Sequence, residues 1–185
     1  MSGPSSGASD PVRLRSQAFQ AIFKTESSYV WKTLKRLGVP DRDLQDVTHD
    51  VFMTVHRRFD DYDATRPVRP WLFGIAFRTA LRYRELLRNQ REVIGDDTVE
   101  VADETPSADE QLVAHQARQL LLKALESVDL EQRAAFVMHD IDGFSVPEIA
   151  TALAVPLNTV YSRLRLARER VKTNLLRLRL RQGDR

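Results

Sequence analysis

Apolar positions recur at helical intervals along most of this chain. Phe19, Ile22, Phe23, Val30, Leu34 and Leu37 predict a helix over 16–37, which Gly38-Val39-Pro40 ends. Leu44, Val47, Val51 and Val55 give one buried face to a second helix. It begins at Asp41–Asp43, where acids suit the positive amino end, and runs to Phe59. The segment 60–70, DDYDATRPVRP, breaks the period with prolines and clustered charge and predicts a loop. Trp71, Leu72, Ile75, Thr79, Tyr83 and Leu86 then describe a long third helix reaching Asn89.

From 92 to 110 the periodicity lapses, and Gly95, Pro106 and Ser107 mark a linker. A structureless connection of that length argues for two domains. Helical spacing resumes at 108–111 with Leu112, Gln116, Leu120, Leu121 and Leu125, and that helix ends near Ser127. Asp129 is placed to cap the next, which carries Ala134, Ala135, Val137 and Met138 before the Asp142-Gly143 turn. The expected fold is all-α, in two small helical domains joined by a flexible acidic linker. Their bounds are 16–91 and 111–175, with a disordered lead at 1–15, the linker at 92–110 and a basic tail at 176–185.

The stretch 144–173, FSVPEIATALAVPLNTVYSRLRLARERVKT, is the most informative. Ser145 and Glu148 have the spacing of a capping box with Pro147 in the first turn, and Ile149, Ala150 and Leu153 form an apolar stripe. Ala154-Val155-Pro156 supplies a tight break. Val160, Leu164, Ala167 and Val171 then bury one face of a second helix, leaving Asn158, Thr159, Ser162, Arg163 and Arg165 outward. Two short helices with polar and guanidinium side chains leading the second make a helix-turn-helix suited to a duplex major groove.

Charge distribution sharpens that reading. The net charge is only +2, but Asn158–Gly183 holds eight Lys or Arg against Glu169 alone, where a merely solvated face would mix its signs. Residues 66–91 hold seven arginines against Glu85, while 92–110 holds eight acids and no Lys or Arg. The chain is thus basic, acidic, then basic. Near the first basic stretch, Tyr62, Trp71, Phe73, Phe77 and Tyr83 offer aromatic faces of the kind that stack on unpaired bases. The alternative for all five is a place in the core.

Catalytic constellations are missing. The four histidines are scattered, there is no glycine-rich phosphate loop, and the absence of cysteine excludes disulfides and thiolate metal sites. Asp46, His49 and Asp50 share a helix face, which reads as an exposed polar surface more readily than as a metal patch. No cofactor is expected, and no apolar run is long enough to span a membrane.

Three segments together resemble the group IV, extracytoplasmic function (ECF) class of bacterial RNA polymerase sigma factors in the sigma-70 family. They are DVTHDVFMTVHRRF (46–59), WLFGIAFRTALRYRE (71–85) and VDLEQRAAFVMHDIDGFSVPEIATALAVPLNTVYSRLRLARERV (128–171), in the expected order around an acidic linker. The resemblance covers 16–175 and implies a sigma-2 domain followed by a sigma-4 domain in a cytoplasmic, non-enzymatic subunit. It implies that Asp46, His49, Asp50, Phe52, Met53 and Arg57 bind the clamp helices of core RNA polymerase. Melted −10 non-template strand would meet Tyr62, Arg66, Arg69, Trp71, Phe77, Arg78 and Arg82. The −35 duplex would meet Asn158, Thr159, Tyr161, Ser162, Arg163 and Arg165, with Arg168 near phosphates or the polymerase flap. An anti-sigma factor is implied as a further partner. The sequence departs from the family pattern at His49, Asp50, Phe77, Arg78, Arg82, Asp129 and Ala154, the last at a turn position often held by glycine. A helix-turn-helix regulator that binds duplex DNA without acting as a sigma subunit is the other reading of the same residues.

Overall fold

Seven α-helices carry the described residues of the computed structural model, which are 11–94 and 109–183. They are α1 (Pro11–Leu37), α2 (Leu44–Arg57), α3 (Val68–Ile94), α4 (Asp109–Glu126), α5 (Leu130–Phe136), α6 (Val146–Leu153) and α7 (Leu157–Gly183). No strand occurs among them. Helices α1, α2 and α3 pack on one another as a first unit, and α7 forms the spine of a second, touching α4, α5 and α6.

The apolar stripes fall where the periodicity puts them. Leu44, Val47, Val51 and Val55 of α2 are buried against Leu34, Leu37, Leu72, Phe73 and Ile75. Val160, Leu164, Ala167 and Val171 of α7 are buried against Ala134, Ala135, Met138, Ile149 and Leu153. Each buried Val, Leu, Ile, Phe or Met side chain among them contributes about 1.5–3 kcal/mol on leaving water. Leu86 departs from the expected stripe: it is exposed, because α3 has by then run past the end of its bundle.

Local chemistry sets the helix ends. Gly38 takes φ +92° after α1, its N–H donating to Lys35 O and that of Val39 to Leu34 O, so a left-handed residue closes the helix. Asp129 accepts from the Glu131 N–H and caps α5. Glu148 accepts from both the N–H and the hydroxyl of Ser145 at 2.8 and 2.6 Å, so the expected box at the start of α6 is formed. Burial plays little part there, and these two hydrogen bonds hold the Glu148 carboxyl below its ordinary value. Ala154 takes φ +55° between α6 and α7, a conformation strained for any residue with a Cβ.

Three expected boundaries move. Helix α1 starts at Pro11, so residues 11–15 are helix and not disordered lead; long-range contacts of Arg15 hold them there. Helix α3 continues to Ile94 and α4 starts at Asp109, which takes 92–94 and 109–110 out of the expected linker; 95–108 lie outside the described residues. The basic tail from 176 continues α7 as far as Gly183.

The two units also dock on each other, which helical periodicity had no means to foretell. Their cores form one continuous cluster. Arg133 of α5, 3% exposed, donates to Leu37 O at the end of α1 as well as to Glu126 O and Val128 O in its own unit. Asp142, in the turn before α6, accepts from Tyr29 Oη at 2.8 Å and from Arg36 at 2.9 Å, both on α1. Burial first, and then the Asp142 charge, push the Tyr29 hydroxyl far above its ordinary value, so it stays a donor. At Gly74 of α3 a Cβ would come within 2.5 Å of the Ala152 carbonyl, so the closest approach of α3 and α6 requires glycine.

Candidate nucleic-acid interface

The loop between α2 and α3 is built around one aromatic stack. Tyr62 lies on Trp71 with ring centroids 5.0 Å apart and 30° between planes, and Phe59 sits 6.4 Å beyond Tyr62. The Tyr62 hydroxyl donates to Arg66 O, which closes the loop on itself, and Asp63 receives the Thr65 N–H and hydroxyl. Those Thr65 bonds hold the Asp63 carboxyl below its ordinary value. The result is a half-buried aromatic platform bordered by Arg58, Arg66 and Arg78, in a groove of about 750 Å³.

The far wall of that groove belongs to the second unit: Pro147, Glu148, Thr151, Ala152 and Ala154 of α6 and its turn. Arg78 donates to Ala152 O across it at 3.2 Å. Burial, and then the charge of Arg58, lower the Arg78 guanidinium below its ordinary value. A strand entering the groove would compete with α6 for Arg78.

The remaining expected residues of the first unit divide by environment. Arg66 and Arg82 are exposed, with Arg66 3.3 Å from Asp63. Arg69 donates to Glu26 at 2.8 Å and stacks its guanidinium over the Tyr29 ring at 5.0 Å, which ties α3 to α1. Phe77 is 5% exposed and Phe52 4%, so both are core residues in this arrangement and can act on a partner only through packing. Of the other aromatic candidates, Phe73 is fully buried, and Tyr83 donates to Asp43 at 2.5 Å and braces α3 against the start of α2. Asp46, His49, Asp50, Met53 and Arg57 are exposed along one side of α2. Among the described residues no group of His, Cys, Asp and Glu is placed to hold a metal.

On the second unit, Asn158, Tyr161, Ser162 and Arg165 are exposed over the first turns of α7, and Thr159 is half-buried. Two arginines expected at the duplex are instead engaged at home. Arg163 is ion-paired with Glu131 of α5. Arg168 forks both nitrogens onto Asp140, at 3.0 and 2.8 Å, with His139 alongside. Burial would raise the Asp140 carboxyl, but Arg168 and then His139 outweigh it and hold it low.

Sequence reasoning passed over Arg15, Arg133 and Asp142. Arg133 is an ordinary basic letter on a helix; only its position against two helix ends reveals its use. Asp142 was legible as turn chemistry but not as a bridge.

Comparison with known proteins places the two units. Residues 22–92 match the family model for Sigma-70 region 2, and 118–171 that for Sigma-70 region 4. The RNA polymerase sigma factor CnrH of Cupriavidus metallidurans is 28% identical over 169 residues, covering 86% of this chain and 87% of that one. The ECF RNA polymerase sigma-E factor of Escherichia coli is 28% identical over 142 residues, covering 72% and 74%. In fold, the chain is similar to the sigma factor RpoE from Bartonella quintana, solved with the anti-sigma factor NepR. There the TM-score is 0.67 at 22% identity, over 86% of this chain and 97% of that one. CnrH in complex with the cytosolic domain of CnrY gives 0.59 at 25% identity, over 86% and 88%.

Proposed function

Since the chain belongs to the sigma-70 family of RNA polymerase sigma factors, in its extracytoplasmic function class, we propose how its two units divide promoter recognition between them. The protein is a promoter-recognition subunit that joins core RNA polymerase, with the first unit at the −10 element and the second at the −35 element. The observation that carries this division is the pairing of the Tyr62–Trp71 platform and its arginines on one unit with the exposed start of α7 on the other.

The exposed side of α2, with Asp46, His49, Asp50, Met53 and Arg57, is the surface for the polymerase clamp. The platform takes an unpaired non-template base, and Arg66, Arg78 and Arg82 hold the flanking phosphates. Extruding a base costs a few kcal/mol, which stacking of about 1–3 kcal/mol per base and several phosphate contacts offset. Asn158, Thr159, Tyr161, Ser162 and Arg165 enter the major groove of the upstream duplex, where bidentate contacts specify bases. Arg163 joins them on leaving Glu131, and Arg168 stays near the phosphates.

In this arrangement α6 walls the platform groove, so strand capture requires the two units to part. Core polymerase, by binding both, is the agent that holds them apart. An anti-sigma protein would act oppositely, covering the clamp and DNA surfaces; RpoE with NepR and CnrH with CnrY are relatives seen with such proteins. No bond is made or broken by the subunit, so the role is that of an initiation factor acting in the cytoplasm. No helix among the described residues is long and apolar enough to cross a membrane. Run-off transcription with core enzyme over a promoter library tests the reading: transcripts starting at a common −35/−10 pair support it. Core binding without any promoter-directed transcript overturns it.

A further inference from the structure

The backbone and side-chain hydrogen bonds that hold the turn carrying Tyr62 come from its own residues on one side and from a distant residue on the other. Locally, Asp61 N–H donates to Arg58 O, Tyr62 N–H donates to Phe59 O, and Arg58 pairs with Asp61 at 2.8 Å. The distant residue is Arg15, in the part of α1 that precedes the matched region 22–92. Its Nε donates to Asp60 Oδ1 and its Nη2 to His56 O, both at 2.9 Å.

These two acceptors lie on either side of the α2 exit. His56 O is one of the last carbonyls of α2, which have no partner inside the helix, and Asp60 sits in the 3-10 turn that follows. One guanidinium therefore fixes the angle between the end of α2 and the turn, a task suited to its planar fork of donors. One turn further along α1, Phe19 continues the contact. It meets His56 edge-on at 5.0 Å and Phe59 edge-on at 6.1 Å. Phe59 in turn abuts Tyr62, and Tyr62 stacks on Trp71. A continuous line of contacts runs from the first turns of α1 to the platform.

We propose that Arg15 is a positioning residue for strand capture, setting the attitude of the Tyr62 turn by bridging His56 O and Asp60. The role rests on the −10 function assigned above to the platform. Arg15 touches no nucleic acid in it; it acts through the turn. Loss of the bridge leaves the turn to its local bonds, and the platform then samples orientations that do not receive a base.

The test uses the full chain with core enzyme on a promoter it transcribes, comparing fully paired DNA with a template already unpaired at −10. Permanganate reactivity follows opening. Because the bridge is partly exposed, Arg15→Ala is expected to slow opening of the paired promoter by about fivefold. The deficit should shrink to less than about twofold on the unpaired template, where strand separation no longer has to be offset. Arg15→Lys, which keeps the charge for Asp60 but not the fork, should fall between. In the free protein, the Tyr62 amide should exchange faster in Arg15→Ala while amides in the middle of α2 do not.

Wild-type opening by Arg15→Ala, or an equal loss on both templates as general destabilisation would give, overturns the proposal. So does a Lys variant no better than Ala. If the wild-type chain itself opens no promoter, the sigma reading falls first, and the exchange comparison still reports whether Arg15 holds the turn.

Discussion

Whether the two units dock in solution as described is decided by a double-mutant cycle on Arg133 and Gly38, which lie on opposite sides of the contact. Arg133→Met keeps the aliphatic stem and removes three hydrogen bonds to carbonyls, those of Leu37, Glu126 and Val128. Hydrogen bonds involving a charged group contribute about 1.5–3 kcal/mol each, though less where the charge itself is held in a deeply buried site. Burial, reinforced by the charge of Arg84, pushes this guanidinium down to about 10 from 12.5, a cost of about 3 kcal/mol. The net loss on Arg133→Met is therefore about 3 kcal/mol. Gly38→Ala carries two penalties. Its φ of +92° costs a residue with a Cβ about 1–2 kcal/mol, and the new methyl would meet Arg133 Nη1 in the other unit. Met at 133 has no atom there, so the second penalty disappears in the double variant while the first remains. The coupling should be about 1–3 kcal/mol. Urea unfolding of the four proteins measures it. Both tryptophans, Trp31 and Trp71, belong to the first unit, so fluorescence reports that unit while far-ultraviolet circular dichroism reports both. Coupling within about 0.3 kcal/mol of zero would mean that Arg133 does not sit against Gly38, and the docked arrangement would be refuted.

Three further outcomes follow from single sites. Ala154→Gly relieves a φ of +55° at an exposed position; against glycine's greater freedom when unfolded, a gain of about 0.5 kcal/mol is expected in the denaturation midpoint, and a loss would contradict the strain. Glu148, held low by Ser145, contributes stability that is present above the ordinary carboxylate value and lost as pH falls through the depressed one. Glu148→Gln should flatten that part of the acid-unfolding profile, and an unchanged profile would dismiss the box as a source of stability. Glu131→Ala frees Arg163 and should tighten holoenzyme binding to the upstream duplex by about twofold to fivefold, whereas Arg163→Ala should cost about 1–3 kcal/mol of preference for that element over scrambled duplex; equal loss on both sequences would make Arg163 a phosphate contact.

The residues that sequence alone settled are those whose environment is local. A helical period of apolar positions needs only neighbours three and four apart, so the buried stripes of α2 and α7 were legible, and so were the Asp129 cap and the Ser145–Glu148 box. The breaks at Gly38 and Ala154 were legible for the same reason. Family resemblance added order and role to these elements, and the matches to regions 2 and 4 agree with it.

Tertiary structure decided what each charge and ring is paired with. An arginine on a helix surface has one appearance in sequence whether it faces solvent, DNA or an acid from another helix. Arg163 and Arg168 looked free, yet Glu131 and Asp140, about 30 residues away, hold them. The family resemblance implied a clamp contact for Phe52 and a −10 contact for Phe77, and the packing of α2 and α3 turns both inward. Arg15, Arg133 and Asp142 act across separations of 41 to 113 residues, so no local pattern announces them. The sequence determined which helices form and what surface chemistry they carry; the assembled fold determined which of those groups remain available to a strand of DNA, because long-range pairing depends on geometry that propensity and periodicity do not encode.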